Sequence, residues 1–271
     1  MQFDVVVMNP PYQGQIKGKE GRNNLLWPDF VRLSLQLSKE YVCNVHPALW
    51  RKPEYPLFKE LITKNMIYLR MYCNKAAKRL FGADTHIDWY ILQMTNYNGI
   101  TTIVDERKVS SQVDIASIPF VPGSNIQYIM GLVGTPTLNV LYSTAYHNQS
   151  EGVSEERTEE FCFPVVHTIT KNGPKIYYSN TRQKGIFGVK PKIIVSTGRH
   201  IYTVIDLDGS MGTTEGCFSI VVDDVEEAIN VDMALNSAKF KEKVIKETKW
   251  SNFRIDYKFF RHLKRNFWVD F

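Results

Sequence analysis

The sequence predicts an α/β chain in two parts: a sheet with helices over residues 1–108, then an irregular β-rich region with terminal helices over residues 109–271. Three observations predict it. Phe3–Met8 (FDVVVM) is apolar at every position but Asp4, and a strand apolar on both faces belongs in a parallel sheet covered by helices. Up to about Lys108, short β-branched runs alternate with segments of helical periodicity. Beyond it Pro119, Pro122, Gly123, Gly131, Gly134 and Pro136 break the chain into short pieces, a texture that sets a second region apart from the first.

Taken in order, Phe3–Met8 is the first strand and Asn9 to Asn24 (NPPYQGQIKGKEGRNN) a polar loop. Leu26, Phe30, Leu33 and Leu37 fall at helical spacing between Leu26 and about Glu40, and Pro28 is tolerated in a first turn. Tyr41–His46 reads as a strand ended by Pro47, Leu57–Lys64 as a short helix, and Met66–Met71 as a third strand. His86–Thr95 and Thr101–Asp105 flank a gap containing Asn98-Gly99, which predicts an antiparallel hairpin. Glu151–Glu160 reads as an exposed loop or a helix start. Strands are expected at Phe163–Thr168, Lys175–Tyr178, Lys192–Ser196, Tyr202–Asp206 and Cys217–Val222, then a helix over Val225–Leu235 and a basic tail.

A 44% hydrophobic, 23% charged composition suits a packed core and argues against global disorder. No apolar run approaches the roughly 20 residues that span a bilayer, and no secretory signal is visible. Cys43, Cys73, Cys162 and Cys217 are scattered without a CxxC pair, so a reduced, cytoplasmic protein without a metal site is expected. Of the net charge of +5, the stretch from Ala238 to Phe271 carries a surplus of six (ten Lys or Arg against four Asp or Glu). A local basic surplus fits a polyanionic partner; a solvated helix face would account for it equally well.

Asn9-Pro10-Pro11-Tyr12, directly after a buried-type strand, resembles the catalytic motif of DNA adenine-N6 methyltransferases. The chemistry explains the residue types. Adenine's exocyclic amine is a poor nucleophile because its lone pair is delocalised into the ring. A carboxamide oxygen on Asn9 and the backbone carbonyl of Pro10 can each accept one of its N–H groups and stabilise the charge that grows during methyl transfer. Proline fixes the backbone that aims the carbonyl, and Tyr12 offers a face for a base rotated out of the duplex. Open α/β sheets place ligands at the carboxyl ends of their strands.

Further stretches resemble the same family. WPDFVRLSLQL (Trp27–Leu37) is similar to the helix after the motif, VCNVHPALWRKP (Val42–Pro53) to the next strand and its loop, and HIDWYILQ (His86–Gln93) to the late part of the sheet. KPKIIVSTG (Lys190–Gly198), GCFSIVV (Gly216–Val222) and ALNS (Ala234–Ser237) resemble the target-recognition region of restriction–modification enzymes that hold methylase and specificity on one chain. The resemblance implies a partial Rossmann-like methyltransferase sheet, DNA as partner and S-adenosylmethionine as methyl donor. It also implies a glycine-rich turn and a ribose-binding carboxylate that, in this order of motifs, lie before the NPPY strand. Only Met1 and Gln2 precede Phe3, so the cofactor half is expected to be missing and Phe3–Met8 to present an unpaired apolar edge. VIDLDGSMGTTEG (Val204–Gly216) slightly resembles the cofactor turn of members with the reverse order, but a turn in the recognition region is the stronger reading. A fragment, a chain completed by a partner and a degenerate, catalytically inactive DNA-binding relative all remain open, as does an RNA or protein-glutamine substrate.

Other candidates follow from position. His46 and Trp50 lie just past the second strand, where they line a base pocket or simply pack. Arg22, Asn23 and Asn24 occupy the loop after the motif and are candidate substrate contacts. Lys249, Arg254, Lys258, Arg261, Lys264 and Arg265 interleave with Trp250, Phe253, Tyr257, Phe259, Phe260 and Phe267 in the tail. Cations among aromatics suit phosphate neutralisation and stacking, and a helix burying its aromatic face is the competing reading. Arg182, Lys184, Arg199 and His200 are weaker DNA-contact candidates in predicted loops.

Overall fold

The computed structural model describes residues 2–15, 23–146, 152–251 and 254–271. The chain divides into two compact units, Met1–Ile126 with Trp250–Asn252, and Gln127–Lys249 with Phe253–Phe271. Both mix helices with sheets.

The first unit runs β1 (Phe3–Met8), β2 (Gln13–Gln15), β3 (Asn23–Leu25), α1 (Trp27–Leu37), β4 (Ser38–Pro47), a 3-10 turn at Ala48–Arg51, α2 (Pro56–Ile62), β5 (Lys64–Tyr72), α3 (Asn74–Phe81), β6 (Ile87–Asn96), β7 (Thr101–Val104) and β8 (Ser110–Val113). Six strands form one sheet in the order β1-β4-β6-β5-β7-β8. β1 and β4 are parallel, joined through α1, whose buried Trp27, Val31 and Ser34 recur at i, i+4 and i+7. The helix stops at Leu37, short of Glu40. Ser38 is extended (φ −93°, ψ 139°) because its backbone already pairs with Phe3. α3 ends where Gly82 takes a left-handed φ of 68°, the usual glycine stop signal.

The expected hairpin does not form. β6 lies between β4 and β5, antiparallel to both, while β7 sits beyond β5 and pairs parallel to it. The chain bends at Gly99, which takes φ 102°, but burial decides the pairing. β6 buries Asp88, Tyr90 and Leu92 and is stabilised by neighbours on both edges. The Tyr97 hydroxyl anchors the connection by donating to Asp114 and accepting from the Ile115 N–H.

β1 is an edge strand. Among the described residues it pairs only with β4, and Phe3, Val5 and Val7 on one face are 47%, 51% and 76% exposed. That is the unpaired apolar edge the sequence implied.

The second unit begins within α4 (Ile126–Gly131), whose first residue belongs to the first unit, and continues with β9 (Asn139–Tyr142), β10 (Val153–Ser154), β11 (Phe163–Thr170), β12 (Gly173–Ser179), β13 (Lys192–Ser196), β14 (Thr203–Asp206), β15 (Gly212–Thr213), β16 (Cys217–Val221), α5 (Val225–Asn236), α6 (Ala238–Phe240) and α7 (Tyr257–Phe260). Its strands make two sheets, β10-β12-β11-β15 and β14-β13-β16-β9. They share a core of Val166, Ile169, Ile194 and Cys217. Asp224 caps α5 by accepting from the Glu227 N–H, with two glutamates in the first turn favoured by the helix dipole.

The basic tail is not one amphipathic helix. It is broken into α6, a π-helical turn at Lys241–Ile245, a 3-10 turn at Lys246–Thr248, α7 and a final 3-10 turn. Most of its described aromatics are core: Phe240, Trp250, Phe259, Phe260 and Phe267 are buried and Tyr257 is half-buried, while Phe253 lies outside the described residues. No helix among the described residues is long and apolar enough to cross a membrane.

Candidate functional site

Asn9 follows β1 directly, at the carboxyl end of a strand whose Met8 lies opposite Asn44 of β4. Asn9 is exposed, Pro10 buried, Pro11 exposed and Tyr12 half-buried. Burying Pro10 fixes the backbone just after Asn9, with φ held by the ring. Beyond it the Leu26 N–H donates to the Tyr12 carbonyl at 3.2 Å, and β2 pairs with β3 from Gln13↔Leu25 onward. The segment is therefore pinned on both sides of the exposed Asn9 side chain. The Asn9 Oδ1 is turned to the Tyr12 hydroxyl, which donates to it at 3.2 Å. Burial raises the Tyr12 pKa, so the hydroxyl stays protonated and remains a donor.

Behind the motif lies a buried polar network. Asn44 Nδ2 donates to Ser34 Oγ (2.9 Å) and to the Tyr90 hydroxyl (3.2 Å). His46 Nε2 meets the same hydroxyl at 3.1 Å, and its Nδ1 lies 3.0 Å from the Pro47 carbonyl. A carbonyl only accepts, so Nδ1 carries the proton and Nε2 accepts from Tyr90. Burial lowers the His46 pKa to about 4, leaving a neutral ring stacked on Trp27 with centroids 4.6 Å apart. Asn44 and His46 share one face of β4 two residues apart, a parity legible in the sequence. Ser34 and Tyr90 become partners only through packing.

Trp50 donates to Asp88 at 2.8 Å. Asp88 in turn pairs with Arg51 (2.9 Å), Arg51 with Glu106 (2.9 Å), and Glu106 with His86 (2.8 Å). Burial pushes Asp88 up to about 6 against the pull of Arg51. Glu106 is also buried, which raises its pKa, yet the bond to His86 and the Arg51 charge hold it at about 2.

His46 and Trp50 therefore do not line an exposed pocket. Both are fully buried with their polar atoms already satisfied, and neither presents surface to a ligand. Arg22 lies outside the described residues. Asn23 and Asn24 are placed as backbone in β3.

In the second unit the predicted cations separate into two groups. Arg265 is bidentate to Glu227 (2.9 and 2.8 Å) and meets Asp223 at 2.6 Å. Lys264 donates to the Gly131 carbonyl at the end of α4, and Arg182 lies between the rings of Phe163 and Phe187 while bonding the Gly209 carbonyl. Arg261 stacks on Tyr257 at 5.0 Å. These cations hold the fold. Lys184, Arg199, His200 and Arg254 are exposed and Lys258 half-buried. Lys249 donates to the Arg199 carbonyl, and the Ile255 N–H donates to the Thr197 carbonyl. The tail and the loop after β13 thus bring Arg199, His200, Lys249 and Arg254 together.

Val204–Gly216 is no open cofactor turn. Asp206 is buried in an ion pair with Lys192 at 2.6 Å and accepts from the N–H groups of Gly209, Ser210 and Met211.

Residues 1–81 match the family described as Eco57I restriction-modification methylase. No curated protein matches the chain. Among solved structures, the Type IIL restriction-modification enzyme MmeI, determined in complex with DNA, aligns over 95% of this chain and 46% of its own at 9% identity and a TM-score of 0.52. The Type ISP restriction-modification enzyme LlaBIII, bound to DNA, aligns over 92% of this chain and 28% of its own at 9% identity and a TM-score of 0.44. The modification subunit of a putative type I restriction enzyme from Vibrio vulnificus YJ016 aligns over 38% and 26% at 14% identity and a TM-score of 0.30. The chain spans less than half the length of each.

Proposed function

We propose that this chain carries the amine-acceptor site and target-recognition region of a DNA adenine-N6 methyltransferase of the restriction–modification kind. The observation that carries the reading is the exposed Asn9 at the carboxyl end of β1, its oxygen engaged by the Tyr12 hydroxyl of the same motif and its backbone pinned by the buried Pro10. The family match over residues 1–81 supports it.

In this reading Asn9 Oδ1 and the Pro10 carbonyl each accept one N–H of the adenine amine. Two fixed acceptors localise the nitrogen lone pair and stabilise the positive charge that develops there. The proton leaves after transfer, so no strong general base is needed. Tyr12 stacks on the extruded base. The second unit grips the duplex through the exposed Arg199, His200 and Arg254 beside the half-buried Lys249.

S-adenosylmethionine is the donor this reading implies. The described residues do not fit it: the one candidate turn has its carboxylate consumed by Lys192 and three backbone N–H groups. In this reading the chain supplies the acceptor half of the reaction, and the donor half comes from the rest of a longer enzyme or from a partner chain. The same observation favours a second reading, a catalytically inactive DNA-binding specificity protein derived from a methyltransferase. Calorimetry with S-adenosylmethionine on the chain alone gives no binding in either case. Purified assemblies with genome-neighbour proteins separate them. The first reading predicts turnover that Asn9→Ala lowers about 100-fold or more with DNA affinity kept within a small factor; the second predicts no turnover in any assembly.

A further inference from the structure

Resting on the acceptor-site reading above, we infer that the Tyr12 hydroxyl is the resident occupant of the Asn9 oxygen and holds the site closed until an aromatic amine displaces it. The Asn9 oxygen, the acceptor meant for an incoming N–H, already takes an internal O–H at 3.2 Å on one of its two lone pairs, so the Tyr12 donor competes with the incoming group for it. The two residues are three apart in a segment whose backbone is fixed by buried Pro10 on one side and by the Leu26 N–H to Tyr12 carbonyl bond on the other. The ring can leave only by rotating about its side-chain bonds, because the main chain is tethered through Gln13↔Leu25. That rotation does two things together. It frees Asn9 Oδ1, and it releases the flat face of Tyr12 to lie against the base whose amine takes the oxygen.

The consequence is a selectivity device. A ligand with an amine replaces the lost hydrogen bond with its own. A ligand with a carbonyl at the same ring position leaves both Asn9 and Tyr12 without the exchange. The hydroxyl is thus a competitor whose net strength, that of a neutral hydrogen bond in water, corresponds to about a two- to tenfold shift in occupancy.

The test uses the full chain, adenosine and inosine as probes, and Tyr12→Phe, which keeps the ring and removes only the donor. The Asn9 side-chain amide is followed by NMR, with Asn9→Asp identifying its signal. The expected result is an Asn9 shift in the unliganded Tyr12→Phe chain, adenosine binding about two- to tenfold tighter than in the parent, and no change for inosine. Tyr12→Ala, which removes the stacking face as well, weakens both nucleosides. Equal adenosine affinity in parent and Tyr12→Phe, with Asn9 responding in both, overturns the occupancy inference and leaves the acceptor site standing. No Asn9 response to adenosine in either protein overturns the inference and the acceptor-site reading together.

Discussion

β1 and β13 are both short apolar ribbons, FDVVVM and KIIVS, and the structure treats them oppositely. β13 is buried at all five positions, flanked by β14 and β16, and it buries even Lys192 by pairing it with Asp206. β1 pairs with β4 alone and leaves Phe3, Val5 and Val7 half to three-quarters exposed. Composition says what a strand is suited to bury. Neighbours decide whether it does. The residue that ends β1 inherits this openness, so Asn9 stands exposed where an equivalent position on a central strand would be covered.

The largest effect that sharpens the comparison is on β13. Removing one partner of a buried pair leaves an uncompensated charge, so Lys192→Met lowers unfolding stability by about 3–5 kcal/mol, read from denaturant midpoints. Ile194→Ala, which opens a cavity in the same core, costs about 2–5 kcal/mol. The matching change on β1, Val5→Thr, stays within about 0.5 kcal/mol. A Val5 cost equal to that of Ile194 breaks the comparison, because it means β1 is covered in solution.

A second prediction concerns the network behind the motif. His46 has its folded pKa lowered from 6.5 to about 4, so the folded state favours the neutral ring. Its contribution is fully present above pH 6.5 and is lost as pH falls through 4. Proton NMR of the His46 ring therefore titrates near pH 4; a midpoint near 6.5 means the ring is solvated and the site is open. Asp88 works against this, since its raised pKa of about 6 makes stability fall as pH rises from about 4 through 6. Asp88→Asn removes that opposing slope; Glu106, held at about 2, adds its own loss of stability only as pH falls below about 4.5.

The remaining effects are on the second unit's surface. Arg265→Ala costs about 1 kcal/mol, because Arg265 itself and its partner Asp223 are solvent-exposed although Glu227 is largely covered, and DNA affinity barely moves. Arg199→Ala and Arg254→Ala each weaken DNA binding across sequences and reduce the salt slope by about 1. A larger loss of affinity for Arg265→Ala than for Arg254→Ala reverses the assignment of the two groups of cations.

Much of this was legible in the sequence. The strand before Asn9, the helix after the motif and the strand positions from Phe163 to Val222 follow from local periodicity, which is what sequence records. The face that helix buries does not, since Trp27, Val31 and Ser34 are buried while Leu33, from the apolar series Leu26, Phe30, Leu33 and Leu37, is 45% exposed. The failures are non-local. Asn98-Gly99 specified a turn but could not reveal that β6 would enter between β4 and β5, because partner choice follows from burying Tyr90 and Leu92 on a sheet. His46 and Trp50 sit past a strand end like pocket residues, yet the Tyr90 hydroxyl and Asp88 claim their nitrogens from 44 and 38 residues away. The tail's aromatics fall at helical spacing, but the Asp256 cap and the turn at Lys246–Thr248 divide it, and its rings insert into the core as separate wedges.

The central claim is that Asn9 presents its oxygen to the amine of an extruded adenine. Nucleoside mass spectrometry of DNA from cells expressing this chain with its genome-neighbour proteins tests it most directly. The account predicts N6-methyladenine with the parent chain and none with Asn9→Ala at equal protein level. Undiminished N6-methyladenine in the Asn9→Ala cells, or a mark confined to cytosine, contradicts it.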